Sequence, residues 1–472
     1  FMGVDAAGNR SLGASSTDVM YDITPPDINL NFPVNGSHIP TSAISYNSSE
    51  RLKTGTVIWE WIDGKLDVRA PHAISMDGNE LSKGSHNFIE INPLPELVSG
   101  GIYRVTIEGK DLSGKVSDPI TAMRVTFDDT PPKLSIFSPK MESHRNIPSI
   151  GYNLSESLLS ASVVWDRKDG VEDPTSPHIL SLESFELSAG IHPDSLPINT
   201  PFLKDGAIYD LYMVGVDSAG NISDTVFVSG INYDITPPVL EVNYPIASVP
   251  TRNIEVSYSV SENLKSGEII WTSIDSTSGE VEQFVQVMSE SELVEGFHER
   301  LAIKSSPPAL IEGTLYSVTF NGIDLAGNKS EPVIIADVMF DATKPIFAEV
   351  RPDSGGFINN SNLTYNLSES IALGSALWES KSPELDSIII HTANFEGEEL
   401  TIGLHEKISL LNAPQLVNGA IYTFKIAGED AAGLVGPDVF GDLLFVHQLL
   451  VQAAVLPGGQ QGADDVEIGI SL

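Results

Sequence analysis

Three series of carboxylates recur along this 472-residue chain in one register. The aspartates Asp5, Asp111, Asp217, Asp324 and Asp430 each open a short glycine-bearing phrase, "DAAGNRS", "DLSGKVS", "DSAGNIS", "DLAGNKS" and "DAAGLVG", at intervals of 106 or 107 residues. Asp22, Asp128, Asp234 and Asp341 lead "YDITPP", "FDDTPP", "YDITPP" and "FDATKP", while Glu50, Glu156, Glu262 and Glu369 close "YNSSE", "YNLSE", "YSVSE" and "YNLSE". One member of each series per period gives four sets of three: Asp22, Glu50 and Asp111; Asp128, Glu156 and Asp217; Asp234, Glu262 and Asp324; Asp341, Glu369 and Asp430. Three carboxylates brought together repel one another unless a cation sits among them. A hard cation that takes six to eight oxygens, Ca²⁺ above all, is the natural tenant, with carbonyls of the glycine-bearing loop completing its shell. A second reading stands beside this one. Asp at the head of such a phrase is a good turn former, accepting backbone N–H groups while Gly supplies the positive φ, and Asp before Thr-Pro-Pro caps an extended linker. Lys115 and Leu434 stand where the other phrases have Asn, so those two loops depart from the pattern.

Other chemistries are poorly supplied. There is no cysteine, which removes disulfides, zinc thiolates and thiol nucleophiles. His298-Glu299 and His405-Glu406 start like a zinc-protease helix, but neither has a second His four residues after the first. The recurring His86, His192, His298 and His405 lie one period apart, which points to a turn or strand-edge role rather than a shared ion. No nucleophile elbow, P-loop or dinucleotide fingerprint appears, and with 64 acidic residues a carboxylate pair carries no information about glycoside hydrolysis. The expectation is a non-enzymatic protein. Nine N-x-S/T strings occur, Asn35, Asn47, Asn153 and Asn366 among them, usable only in a host that glycosylates.

Composition narrows the partners. The formal charge of −38, from 26 basic and 64 acidic residues, repels a polyanion and sets nucleic acid aside. No apolar run reaches the ~18 residues of a membrane span, so membrane insertion is not expected. With 39 Gly and 30 Pro beside 41% hydrophobic residues, the chain reads as a loop-rich β protein.

The elements that must position the acids follow from two further series in the same register: Trp59, Trp165, Trp271 and Trp378, and Tyr103, Tyr209, Tyr316 and Tyr422. They delimit four complete modules, 21–126, 127–232, 233–339 and 340–446. Residues 1–20 read as the last hairpin of an incomplete preceding repeat, and 447–472 as an atypical tail, a possible cap or donor strand. Within a module the apolar period is two, as in "DINLNF", "AISYN", "TVIWEWI", "RVTIEG" and "MRVTF". With one or two strands between Arg69 and Ile91 this makes about seven short strands, the pattern of a two-sheet sandwich. Trp59 falls on the third strand, where an immunoglobulin-like sandwich keeps its central aromatic. "LVSGGIY" and its three counterparts place Leu six and Gly three residues before a Tyr, which looks like a tyrosine corner. In such a sandwich the amino end, the loop after the second strand and the loop after the sixth share one pole, so each acidic trio should converge.

With D-x-A-G-N-x-S near the last hairpin and D-x-T-P-P between modules, residues 1 to about 440 resemble the immunoglobulin-like repeats of large bacterial extracellular adhesins and surface proteins. The resemblance implies an all-β chain of tandem immunoglobulin-like or fibronectin III-like sandwiches, extracellular or at the cell surface. Stiff Pro linkers and ~3.3 Å per strand residue would make it an elongated rod of well over ~100 Å. The stalk of an adhesin is the leading expectation, its modules meeting each other. A self-assembling filament or sheath subunit exchanging terminal strands is the second, and a host-glycan- or protein-binding region the third.

Overall fold

The computed structural model describes residues 1–13, 15–274, 282–301 and 310–445. The expected cap or donor strand at 447–472 lies outside the described residues. In the first module the strands are β1 (Ile28–Phe32), β2 (His38–Ile39), β3 (Ile44–Ser48), β4 (Leu52–Gly64), β5 (His72–Ser75), β6 (Gly84–Ile89), β7 (Gly101–Asp111) and β8 (Ile120–Phe127). One sheet has the order β1-β3-β6 and the other β2-β8-β7-β4-β5. All pairs are antiparallel except β2 with β8. Seven strands are those expected from the alternation; the two-residue β2 is the addition. Two residues carry too little pattern to be legible.

The period-two pattern becomes burial directly. Along β7 every second side chain from Gly101 through Gly109 is buried, and the intervening ones stay half open. Trp59, Tyr46 and Tyr103 fill the space between the sheets, with Ile28, Leu52, Val105 and Ile107 around them. Gly109 lets the two layers close: a Cβ there would meet the Ile28 and Leu52 methyls at 2.8 Å. Three more clusters are built the same way around Trp165 and Tyr209, Trp271 and Tyr316, and Trp378 and Tyr422.

The chain divides into two compact units. The first comprises Phe1–Thr236 with Leu325–Asn328, the second Pro237–Asp324 and the described residues from Lys329 on. The first unit holds two of the cores and the second holds two. In the third module the counterpart of β2 shrinks to a single parallel bridge, Thr251 to Phe340, whereas in the fourth it lengthens to Gly356–Ile358.

Candidate metal centres

Asp111, Asp217 and Asp324 end strands and Asp430 follows one directly, and a carboxylate oxygen of Asp111, Asp217 and Asp430 closes the turn. Asp217 Oδ1 accepts the N–H groups of Ala219 and Asn221 at 2.8 and 2.9 Å. Asp111 Oδ1 accepts that of Lys115 and Asp430 Oδ1 that of Leu434, both at 2.8 Å. The turn needs a positive φ at its fourth residue, met by Gly114 at 97° and Gly220 at 94°. Asp5 makes the same turn with Ala7 and Asn9. The turn reading of the sequence is therefore correct for this first oxygen.

The strand ends also bring the trios together. In the first unit Asp22, Glu50 and Asp111 each offer an oxygen, the three lying within 4.8 Å of one another, as do Asp128, Glu156 and Asp217; in the second unit Asp341, Glu369 and Asp430 do likewise. The third set divides, with Asp234 in the first unit and Glu262 and the buried Asp324 in the second. The topology explains the convergence. Glu50 sits in the short turn from β3 to β4, Asp111 ends β7, and Asp22 belongs to the linker entering β1. The phrase aspartate is buried in every set and its companions are half-buried.

The electrostatics carry the mark of uncompensated negative charge. Burial, then the charges of Asp128 and Asp217, pushes the Glu156 carboxyl up. Glu50 is raised by burial and by Asp22 and Asp111, with Lys83 opposing. Glu369 is raised by burial and by Asp341, Asp430 and Glu312. Asp341 is raised by burial against the Thr343 N–H, with Asp430 and Glu312 adding to the rise. At the fourth module one atom stands out: Asp430 is 3% exposed, and its Oδ2 has no hydrogen-bond partner among the described residues. Leaving a buried carboxylate oxygen unmatched is costly unless a ligand completes it.

A position that sequence reasoning missed ties the last three linkers to the module before them. Ser99 donates to Asp128 Oδ1 at 2.9 Å. Asp205 accepts the Ile235 N–H at 2.8 Å and the Thr236 hydroxyl at 2.6 Å. Glu312 accepts the Ala342 N–H at 2.9 Å. These residues stand at one register position of "LVSGGIY", "LKDGAIY" and "LIEGTLY", so oxygen-bearing side chains at that place were the available signal.

The aromatic series are structural. The Tyr103 hydroxyl accepts the Val98 N–H at 2.9 Å, Tyr209 that of Lys204 at 2.8 Å, and Tyr316 and Tyr422 those of Ile311 and Val417, a tyrosine corner in every module. Three of these tyrosines also donate to an aspartate, Asp67, Asp173 or Asp386, which holds His72, His178 or His391. That Asp-x4-His spacing stands in the sequence but was not among the expected sites; in the third module Phe284 takes the His position, opposite Trp271. The recurring His86, His192, His298 and His405 lie against Tyr46, Tyr152, Tyr258 and Tyr365 and bond the carbonyl four residues earlier, in the turn leading into their own strand.

The arrangement defines the class: tandem fibronectin III-like β-sandwiches, in which the fourth full strand, β5, joins β4 rather than the sheet of β1, β3 and β6. No family model and no curated protein matches the chain. Among solved structures, the FN1-FN3 domains of chicken CNTN1 align at 12% identity over 66% of this chain and 99% of that one, with a TM-score of 0.24. The fibronectin(III)-like modules of Clostridium thermocellum CbhA align at 13% identity over 44% and 95%, with a TM-score of 0.23. No helix among the described residues is long and apolar enough to cross a membrane.

Proposed function

We propose that the chain is a non-catalytic spacer from the stalk of an extracellular or cell-surface protein, its seams stiffened by Ca²⁺ bound at the acidic poles. One observation carries the reading: the linker aspartate is itself a member of the first, second and fourth trios, so an ion held there would tie the linker to two loops of the following sandwich. Supporting it, every linker carries Pro, and the last three are pinned by a side chain from the preceding module. A partner-binding tip on the full-length protein is part of this reading.

Calcium titration of the metal-stripped chain, followed by thermal melting and small-angle scattering, tests it. The expected outcome is a melting temperature that rises with Ca²⁺ and a larger, sharper maximum dimension. Both responses should shrink in an Asp217→Asn, Asp430→Asn double variant. A wild-type chain indifferent to millimolar Ca²⁺ would return these acids to turn chemistry alone.

A further inference from the structure

The trios are not equivalent, and the difference lies in one side chain of the turn phrase. In the second module the Asn221 amide Nδ2 donates to Asp217 Oδ2 at 2.8 Å and also to the Asp128 carbonyl at 2.8 Å. Asn9 makes the same bond to Asp5 Oδ2 at 2.9 Å. Asn328 Nδ2 likewise reaches the Asp234 carbonyl at 2.9 Å. An amide N–H₂ in this place puts two partial positive charges between the turn and the linker, where a cation would otherwise stand. In the first module Asn is replaced by Lys115, but the Ser113 hydroxyl takes Asp111 Oδ2 at 3.0 Å.

In the fourth module nothing of this kind is present among the described residues. Leu434 repeats the backbone bond to Asp430 Oδ1, and its side chain has no donor, so Oδ2 stays buried and unmatched. The pole also carries more charge. Glu312 stands at the position of the neutral Ser99 and adds a fourth carboxylate, whose field reaches both Asp341 and Glu369. Arg252, which reaches this turn, bonds the Gly433 carbonyl.

We propose that the phrase asparagine is a built-in amide plug, and that the Asp341, Glu369 and Asp430 pole, from which Leu434 omits the plug, is the one a divalent cation such as Ca²⁺ fills first. This rests on the cation reading above and ranks the first, second and fourth poles. Of the two turns that depart from the sequence pattern, the one with Leu434 is thus the one best prepared for a metal.

The test is isothermal titration of the full, metal-stripped chain with CaCl₂. Wild type should show a tightest class with a stoichiometry of one. Leu434→Asn should weaken that class at least tenfold, and Leu434→Ala, equally unable to donate, should leave it within about threefold. Asn221→Leu should add a second site to the tight class. The inference is overturned if calcium binds but Leu434→Asn leaves the tightest affinity unchanged, or if the alanine variant loses as much as the asparagine one. Absence of any calcium heat in wild type would instead remove the cation reading itself, so the two failures are distinguishable.

Discussion

A buried carboxylate in these sandwiches divides its two oxygens between separate duties. Asp173 shows how much one side chain can organise: burial pushes its carboxyl up, yet donors from Thr175, Tyr209 and His178 outweigh that and hold it far below the usual carboxylate range. The Tyr209 hydroxyl that supplies one donor is fully buried and also accepts the Lys204 N–H. Tyr209→Phe removes both bonds and strands a backbone N–H, which should cost about 1–3 kcal/mol. Calorimetry of the full chain should show one component moving to lower temperature while the others stay, because the four cores share no residue. A shift of the entire profile would contradict that independence. The tryptophans show the same local arithmetic: Trp271 bonds Gln286, whereas the indole N–H groups of Trp165 and Trp378 are buried without a partner among the described residues.

At the level of the element, the polar turns set the pH response. Glu50, Glu156, Glu369 and Asp341 all have carboxyls raised in the fold, first by burial and then by neighbouring acids. In the window above the ordinary glutamate value of 4.5 the folded chain therefore binds more protons than the unfolded one, and stability falls as pH rises. Asp67, Asp173 and Asp386 act oppositely: burial raises them, but their hydrogen bonds outweigh it, so their contribution is kept above 3.8 and lost below. Metal-free protein should lose melting temperature between about pH 5 and pH 7, and saturating Ca²⁺ should flatten the decline. A metal-free profile that climbs across this window would show that the acids at the poles are not what limits stability.

These turns also mark how far the sequence could be read. The first, second and fourth trios were legible because alternation marks the strands, and an immunoglobulin-like order of those strands places the end of β7 beside the turn from β3 to β4. The linker pins at Ser99, Asp205 and Glu312 were not, because Ser, Asp and Glu share no residue type, only an oxygen at a common register. The role of Leu434 was hidden for another reason: what matters is the donor it lacks, which acquires meaning only once Asp430 Oδ2 is seen to be buried.

For the whole molecule, the feature with the widest reach is the short parallel pairing of β2 with β8. Pull on the two ends of such a sandwich and, once β1 has peeled away, these two strands slide past each other with their bonds strained together. Three modules resist with two or three paired residues, but among the described residues the third has only Thr251 against Phe340. In single-molecule stretching it should rupture first, at the lowest force. Each rupture should release roughly 350 Å of contour, as expected for about a hundred residues at ~3.5 Å each. Ten glycine-serine residues inserted at Glu331 should lengthen the first event by about 35 Å and leave later ones alone. A chain built in this way would carry its own fuse, sacrificing one segment under sudden tension so that its neighbours, and whatever they hold at the far end, stay in place.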